Sequence, residues 1–118
     1  MEIIKTDILI VGSGIAGLSL ALRLKDLGEI TILTKKRAFE TATSLAQGGI
    51  ACVMGEDDSF ESHINDTLAV GDGLCKKETV EFVVKSAPER IKDLISWGVK
   101  FDKDPENPEK FHLTLEVK

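Results

Sequence analysis

Cysteine is scarce in this chain. Cys52 and Cys75 stand 23 positions apart, with no Cys-x-x-Cys pair and no second ligand pair near either. That spacing argues against a structural zinc site, and it predicts two buried thiols kept reduced, as in a cytoplasmic protein. Positive charge is not in surplus either. A formal net charge of −5 argues against nucleic acid or an anionic membrane as a partner, since both attract basic surfaces. No apolar stretch approaches the roughly 20 residues that span a bilayer. The longest early run, Ile8 to Val11, is flanked by Glu2 and Asp7 and interrupted by glycines, which makes it a buried strand rather than a signal-peptide core. Internal repeats and low-complexity segments are absent. What remains is 118 residues with 42% hydrophobic content, enough for the core of one domain.

The strongest positive signal is Asp7-Ile8-Leu9-Ile10-Val11-Gly12-Ser13-Gly14-Ile15-Ala16-Gly17. Four apolar residues predict a buried parallel strand, Gly-x-Gly-x-x-Gly follows at once, and a leucine-rich helix begins behind it. In such a strand–turn–helix the first glycine permits the tight turn. The second lets a pyrophosphate approach the backbone, and the third lets the helix pack closely on the strand. The helix N-terminus then offers free N–H groups and a positive dipole end to the phosphates. Leucines 18, 20, 22, 24 and 27 predict a helix over Ala16–Leu27, buried between the sheet and a neighbour and capped by Gly28. Ile30-Thr31-Ile32-Leu33 is the second strand. Residues 1–34 thus read as a βαβ unit with a right-handed crossover, and the class is α/β and Rossmann-like.

Beyond it the pattern changes. Residues 35–55 carry a basic Lys35-Lys36-Arg37, the small and hydroxyl-bearing Ala42-Thr43-Ser44, and then Gln47-Gly48-Gly49-Ile50. Two readings fit this spacing, a loop shaped around a ligand or a surface loop turning at Gly48-Gly49. The alanines with Leu45 and Ile50 predict incomplete exposure. Residues 56–101 are helical in pattern: Asp58 or Ser59 caps a helix over Phe60–Val70 that Gly71 and Gly73 end. A short helix follows over Lys77–Lys85, punctuated by Ser86-Ala87-Pro88. A further helix carries Ile91, Leu94, Ile95 and Trp97 and stops at Gly98. Val99 to Phe101 begins a short strand. In residues 102–118, a proline-containing connection precedes Phe111 to Val117, which alternates as a strand does.

A nicotinamide-binding unit places an acidic residue about 20 positions beyond its glycines, on the ribose. Here that place is Thr34-Lys35, and the acid is missing. Lys35 suits a 2′-phosphate, and it equally suits an FAD site in which neighbouring groups hold the ribose. The second glycine-containing segment favours FAD.

Taken together, Asp7 to Gly17 and Thr43-Ser44-Leu45-Ala46-Gln47-Gly48-Gly49-Ile50-Ala51 resemble the flavoprotein family of succinate dehydrogenase, fumarate reductase and L-aspartate oxidase. Asp57-Asp58-Ser59, His63 to Leu68, Gly71 to Cys75 and Phe111 to Glu116 bring the resemblance nearest to the L-aspartate oxidase branch. It implies an incomplete FAD/NAD(P)-binding domain and oxidation of L-aspartate to iminoaspartate in NAD biosynthesis, with oxygen or fumarate reoxidising the flavin. By the same resemblance Gly12, Ser13, Gly14, Ile15, Ala16 and Gly17 hold the pyrophosphate, and Lys35 lies near the adenosine ribose. Ala42, Thr43, Ser44, Leu45, Ala46, Gln47, Gly48 and Gly49 line the flavin, with backbone N–H groups at 47–49 suited to negative charge on its reduced form. The covalent members of the family attach FAD through a histidine where this chain has Ala42, so noncovalent FAD is implied. His112 and Thr114 match substrate-binding positions and Glu116 a catalytic one near the substrate amine. His63 is expected to be a helix-surface residue without a catalytic role.

The family pattern continues past Thr-x-Glu with Gly-Gly-His-Ser, whereas this sequence reads Glu116-Val117-Lys118. The expectation is therefore an N-terminal portion, with residues 102–118 starting the capping region and no complete active site in the chain alone. The expected partners are a complementary C-terminal portion or a quinolinate synthase-type enzyme of the same pathway. A succinate or fumarate flavoprotein fragment and a non-enzymatic nucleotide-binding remnant are the alternatives.

Overall fold

The computed structural model describes residues 3–46 and 48–114. The chain forms two compact units, Met1–Gly49 and Ile50–Lys118.

The first unit is the βαβ expected from the sequence. Strand β1 (Ile8–Val11) pairs in parallel with β2 (Ile30–Leu33), in the register Ile8–Ile30 through Val11–Leu33, and helix α1 (Ile15–Leu24) connects them. The α/β, Rossmann-like class holds. Burial is less than the run of apolar residues suggests. Ile10 lies under α1 and is 6% exposed, whereas Leu9 and Val11 are 57% and 77% exposed. Period-2 alternation sends those two to the opposite face, which no described helix covers. Helix α1 has no fully buried residue: Gly17, Ala21 and Leu24 are half-buried, while Ile15, Leu18 and Leu22 stay exposed. The expectation of a helix sandwiched on both sides is corrected to that extent.

Helix α1 also ends at Leu24 rather than Leu27, with Lys25 as its C-cap. The reason lies in how the chain is returned to β1. The Asp7 carboxylate accepts the Glu29 N–H at 2.8 Å, the Thr6 hydroxyl donates to the Glu29 carbonyl at 2.8 Å, and the Asp7 and Ile8 N–H groups share that carbonyl at 3.1 Å. Pinning Glu29 beside the start of β1 requires residues 25–28 to leave the helix. Gly28 therefore sits in the turn at φ +157° instead of capping the helix.

In the second unit, α2 (Phe60–Val70) begins where Ser59 caps it, the Ser59 Oγ accepting the Ser62 N–H at 3.1 Å. Its inward face, Ile64 and Leu68, packs with Val80 and Val84 of α3 (Lys77–Ser96) and with Val53 and Cys75. Burying a valine or isoleucine contributes about 1.5–3 kcal/mol, so this small cluster dominates the unit's stability. The exposed Lys77–Glu81 and Glu81–Lys85 pairs, both 3.8 Å, add about 0.3–0.5 kcal/mol each.

Helix α3 corrects the expected break at Ser86-Ala87-Pro88. It runs unbroken for 20 residues with Pro88 inside. Proline denies the Val84 carbonyl its usual donor, at a cost of about 3 kcal/mol. The buried positions Val80, Val84 and Ile91 nevertheless stay in phase across it, and keeping that stripe inward outweighs one lost bond. Cys52 and Cys75 are free and half-buried rather than fully buried. Burial and then the nearby Asp58 charge push the Cys52 thiol above its usual range.

The strands expected at 99–101 and 111–117 do not form among the described residues. In their place a single antiparallel bridge joins Lys103 to Phe111, flanked by His112 N–H to Asp102 carbonyl at 2.9 Å and Asp104 N–H to Lys110 carbonyl at 3.1 Å. Pro105 and Pro108 supply no donors, so the ladder cannot extend through the connection. Asp104 closes it instead, accepting the N–H groups of Glu106 and Asn107 at 2.8 and 3.0 Å. Residues 115–118, the remainder of the second expected strand, lie outside the described part. The Lys103 ammonium sits 4.2 Å from the Phe111 ring centre, and Phe101 meets that ring edge-on.

Replacing Ser59 with alanine removes the α2 cap and should lower the stability of the second unit by about 1 kcal/mol, while Ser59→Asp should keep it. Urea unfolding of the three proteins checks this, and equal midpoints for wild type and Ser59→Ala would contradict it.

Candidate functional site

The polar site lies at the carboxyl ends of β1 and β2, where open parallel sheets take their ligands. Gly12 turns the chain there at φ +113°, a region that side chains disfavour. Its N–H donates to the Leu33 carbonyl at 2.8 Å, so the turn is tied to the end of β2. Gly17 carries the close approach. A Cβ on it would run into the Gly12 carbonyl and stand 3.3 Å from Ile10. Gly14, the N-cap of α1, is different. It has ordinary extended backbone, and a Cβ there would meet only the Thr43 hydroxyl, at 3.6 Å.

The N-terminus of α1 suits an anion. Its N-cap has no side chain, and its first turn has no acidic residue, so nothing of like charge competes with a phosphate at the positive dipole end. One protein group already addresses it. The Thr43 hydroxyl accepts the Ile15 N–H at 3.1 Å, bringing the 41–46 segment to the glycine turn. That segment holds itself together: the Thr41 N–H donates to Ser44 Oγ at 3.1 Å, the Ser44 N–H to Thr41 Oγ1 at 3.2 Å, and the Ser44 hydroxyl to the Thr41 carbonyl at 2.8 Å. Between them Thr43–Leu45 make one 3-10 turn.

Hydrogen bonds, not apolar packing, shape this loop. Leu45 is 87% exposed and Ile50 51%, which corrects the expectation of partial cover. Ala42, Ser44, Ala46, Gly48, Gly49 and Lys35 are exposed too, and Gln47 lies outside the described residues. The structure therefore brings Gly12 to Gly17 together with Thr43 in the first unit. Thr34, which the sequence reading did not place in the site, joins them through Ser13. Ser13 is buried, 4% exposed, and donates to the Thr34 hydroxyl at 3.1 Å. Its place in the glycine run marked Ser13 as a ligand contact, and only the fold shows it turned toward Thr34.

His112 and Thr114 belong to the second unit and are exposed. The bridge at Phe111 orders the backbone just before them. Glu116 lies outside the described residues. His63 is not a surface residue as expected. It is half-buried and helps to line a cavity of about 250 Å³ with Thr67, Thr79, Val80, Val83 and Ala87. Among the described residues no group of His, Cys, Asp and Glu could hold a metal ion, and no helix is long and apolar enough to cross a membrane.

A glycine turn, an acid-free helix N-terminus and a parallel strand pair define an α/β dinucleotide-binding unit, and its residues fit a pyrophosphate. The FAD binding domain family matches residues 7–116, and the chain belongs to that family. It is 47% identical over 113 residues to an L-aspartate oxidase of Vibrio cholerae, an alignment covering 93% of this chain and 21% of the relative. An L-aspartate oxidase of Yersinia pestis is 50% identical over 113 residues, at 94% and 21%. Among solved structures, a mutant FrdA chain of E. coli quinol fumarate reductase is similar with a TM-score of 0.78 and 34% identity, covering 90% of this chain and 19% of its own. The chain thus spans about a fifth of the length of the relatives it matches.

The two glycines should separate in their effects. Gly17→Ala forces α1 off β1 and should cost about 1–3 kcal/mol, whereas Gly14→Ala should leave stability within about 0.5 kcal/mol. Thermal unfolding followed by circular dichroism measures both, and equal losses would contradict the assignment of the close approach to Gly17.

Proposed function

We propose that this chain is the FAD-binding N-terminal section of an L-aspartate oxidase, a cytoplasmic flavoenzyme converting L-aspartate to iminoaspartate for NAD biosynthesis. The observation that carries the reading is the similarity to L-aspartate oxidases, 47% and 50% identical over 113 residues. The FAD binding domain family match spans the glycine turn, the 42–49 loop and the 111–114 segment alike. The backbone of residues 12–17 and the α1 N-terminus hold the pyrophosphate, Lys35 lies by the adenosine ribose, and residues 42–49 line the flavin. FAD, when bound, supplies the two-electron acceptor.

The chain's own side chains bind and orient the substrate. His112 and Thr114 take a substrate carboxylate, and Glu116 is the catalytic residue for the amine. The region from residue 102 onward begins the capping part of the site. The three arginines are Arg23, Arg37 and Arg90, and Arg90 already pairs with Glu89 at 3.1 Å and Asp93 at 3.2 Å. None of them stands in sequence near His112. Bidentate capture of a dicarboxylate is arginine's work, so we assign it to residues outside these 118. A complementary polypeptide portion, or a quinolinate synthase-type enzyme consuming the unstable product, is the partner this reading implies. Oxygen or fumarate reoxidises the flavin. FAD is held noncovalently, because Ala42 has no nucleophilic nitrogen.

The test replaces the matching segment of the Vibrio cholerae enzyme with residues 7–114. The graft should oxidise L-aspartate and not succinate, and the 118-residue chain with FAD should show no turnover above free flavin. Succinate oxidation would instead favour the fumarate reductase-like reading that the 34% identical structure suggests. On a denaturing gel the graft should release all its yellow cofactor, and fluorescence staying with the protein would contradict noncovalent binding. Gly14→Val in the graft should abolish flavin uptake while leaving the fold intact, since its side chain fills the phosphate approach.

A further inference from the structure

Ser13 is the buried polar side chain of the described core, 4% exposed, and it lies inside the glycine turn rather than in a strand. A buried hydroxyl without a partner costs about 1–3 kcal/mol, and Ser13 meets that demand across the sheet, donating to Thr34 Oγ1 at 3.1 Å. Thr34 directly follows β2. The backbone pairing Val11–Leu33 and the Gly12 N–H to Leu33 carbonyl bond of 2.8 Å stop just short of this point. The hydroxyl pair therefore extends the strand pairing by one side-chain rung beyond the backbone ladder. Thr34 is half-buried. With one hydrogen bond made to Ser13, the Thr34 hydroxyl keeps the capacity for another to offer outward. It stands where nicotinamide-type units end their second strand with a ribose-binding carboxylate.

We propose that Ser13 is a positioning residue for the adenosine ribose: its side chain touches no ligand itself and acts by fixing the Thr34 hydroxyl as a neutral hydrogen-bonding group at the end of β2. The inference rests on the dinucleotide reading above and adds the residue pair that sets its ribose end. In this arrangement the pyrophosphate depends on the glycine turn and the α1 N-terminus, and the ribose depends on the Ser13–Thr34 rung. Two parts of one ligand thus rely on separate groups.

That separation provides the test. Equilibrium dialysis of the full chain uses ADP-ribose, which has both parts, and inorganic pyrophosphate as competitor, which lacks the ribose. Ser13→Ala should weaken ADP-ribose about fivefold to tenfold, the worth of one hydrogen bond, and leave pyrophosphate within about twofold. Thr34→Val should match it, Thr34→Ser should bind as wild type does, and the double variant should be no weaker than Thr34→Val alone. Equal weakening of both ligands by Ser13→Ala means a distorted glycine turn and overturns the proposal, as does an additive double variant. If Ser13→Ala does not fold, Thr34→Val against Thr34→Ser decides: loss in the first alone supports the rung, and equal binding overturns it. A wild-type chain that takes up neither ligand overturns the dinucleotide reading and this inference with it. Uptake with unaltered variants overturns this inference alone.

Discussion

Everything in the first unit depends on one close approach, the passage of α1 over the end of β1 at Gly17 and Gly12. There is no room for a side chain between the Gly17 Cα and the Gly12 carbonyl. That contact sets the height of the helix over the sheet, and Ile10 is buried beneath it. It also aims the N-terminus of α1 across the carboxyl ends of both strands. Two turns of backbone, at Gly12 and at residues 25–29, then decide what the crossing serves. The first leaves the helix start bare of side chains, and the second returns the chain to pair with β1 from its first residue.

The site is built mainly from backbone and hydroxyl groups. Thr43 reaches the first N–H of α1, Thr41 and Ser44 close the loop on themselves, and Ser13 meets Thr34. Such groups are neutral and short, so they hold position without adding charge beside a doubly anionic pyrophosphate. The apolar residues that accompany them are largely uncovered: Val11, Leu45 and Leu9 are more than half exposed. The FAD binding domain family to which the chain belongs matches nearly all of it. The likeness to L-aspartate oxidases and to a fumarate reductase chain covers only about a fifth of each relative.

The glycine spacing, the positions of β1 and β2 and a helix cap at Asp58 or Ser59 were legible from residue types because each rests on a local rule. A turn needs a positive φ, a parallel strand needs apolar residues, and a helix start needs a hydroxyl acceptor. The continuity of α3 through Pro88 was not. Proline's local preference argues for a stop, yet the in-phase burial of Val84 and Ile91 carries the helix through. The expected strand at 111–117 had alternation in its favour, but a strand also needs a partner along its length, and among the described residues it meets one only at the Lys103–Phe111 bridge. His63 reads as a surface residue on its own helix. Its burial arises from the opposing wall of α3.

By itself the sequence determined the α/β class, the dinucleotide turn and the absence of a ribose-binding acid, since these follow from which residue stands at which spacing. Tertiary structure alone decided that Ser13 faces Thr34, that Thr43 meets α1, and that α1 yields three residues to the return turn. Each of these joins positions 21 to 28 residues apart. Hydrogen-bond partners at that separation are chosen by where the packed strands and helix place the chain, and no local preference encodes them.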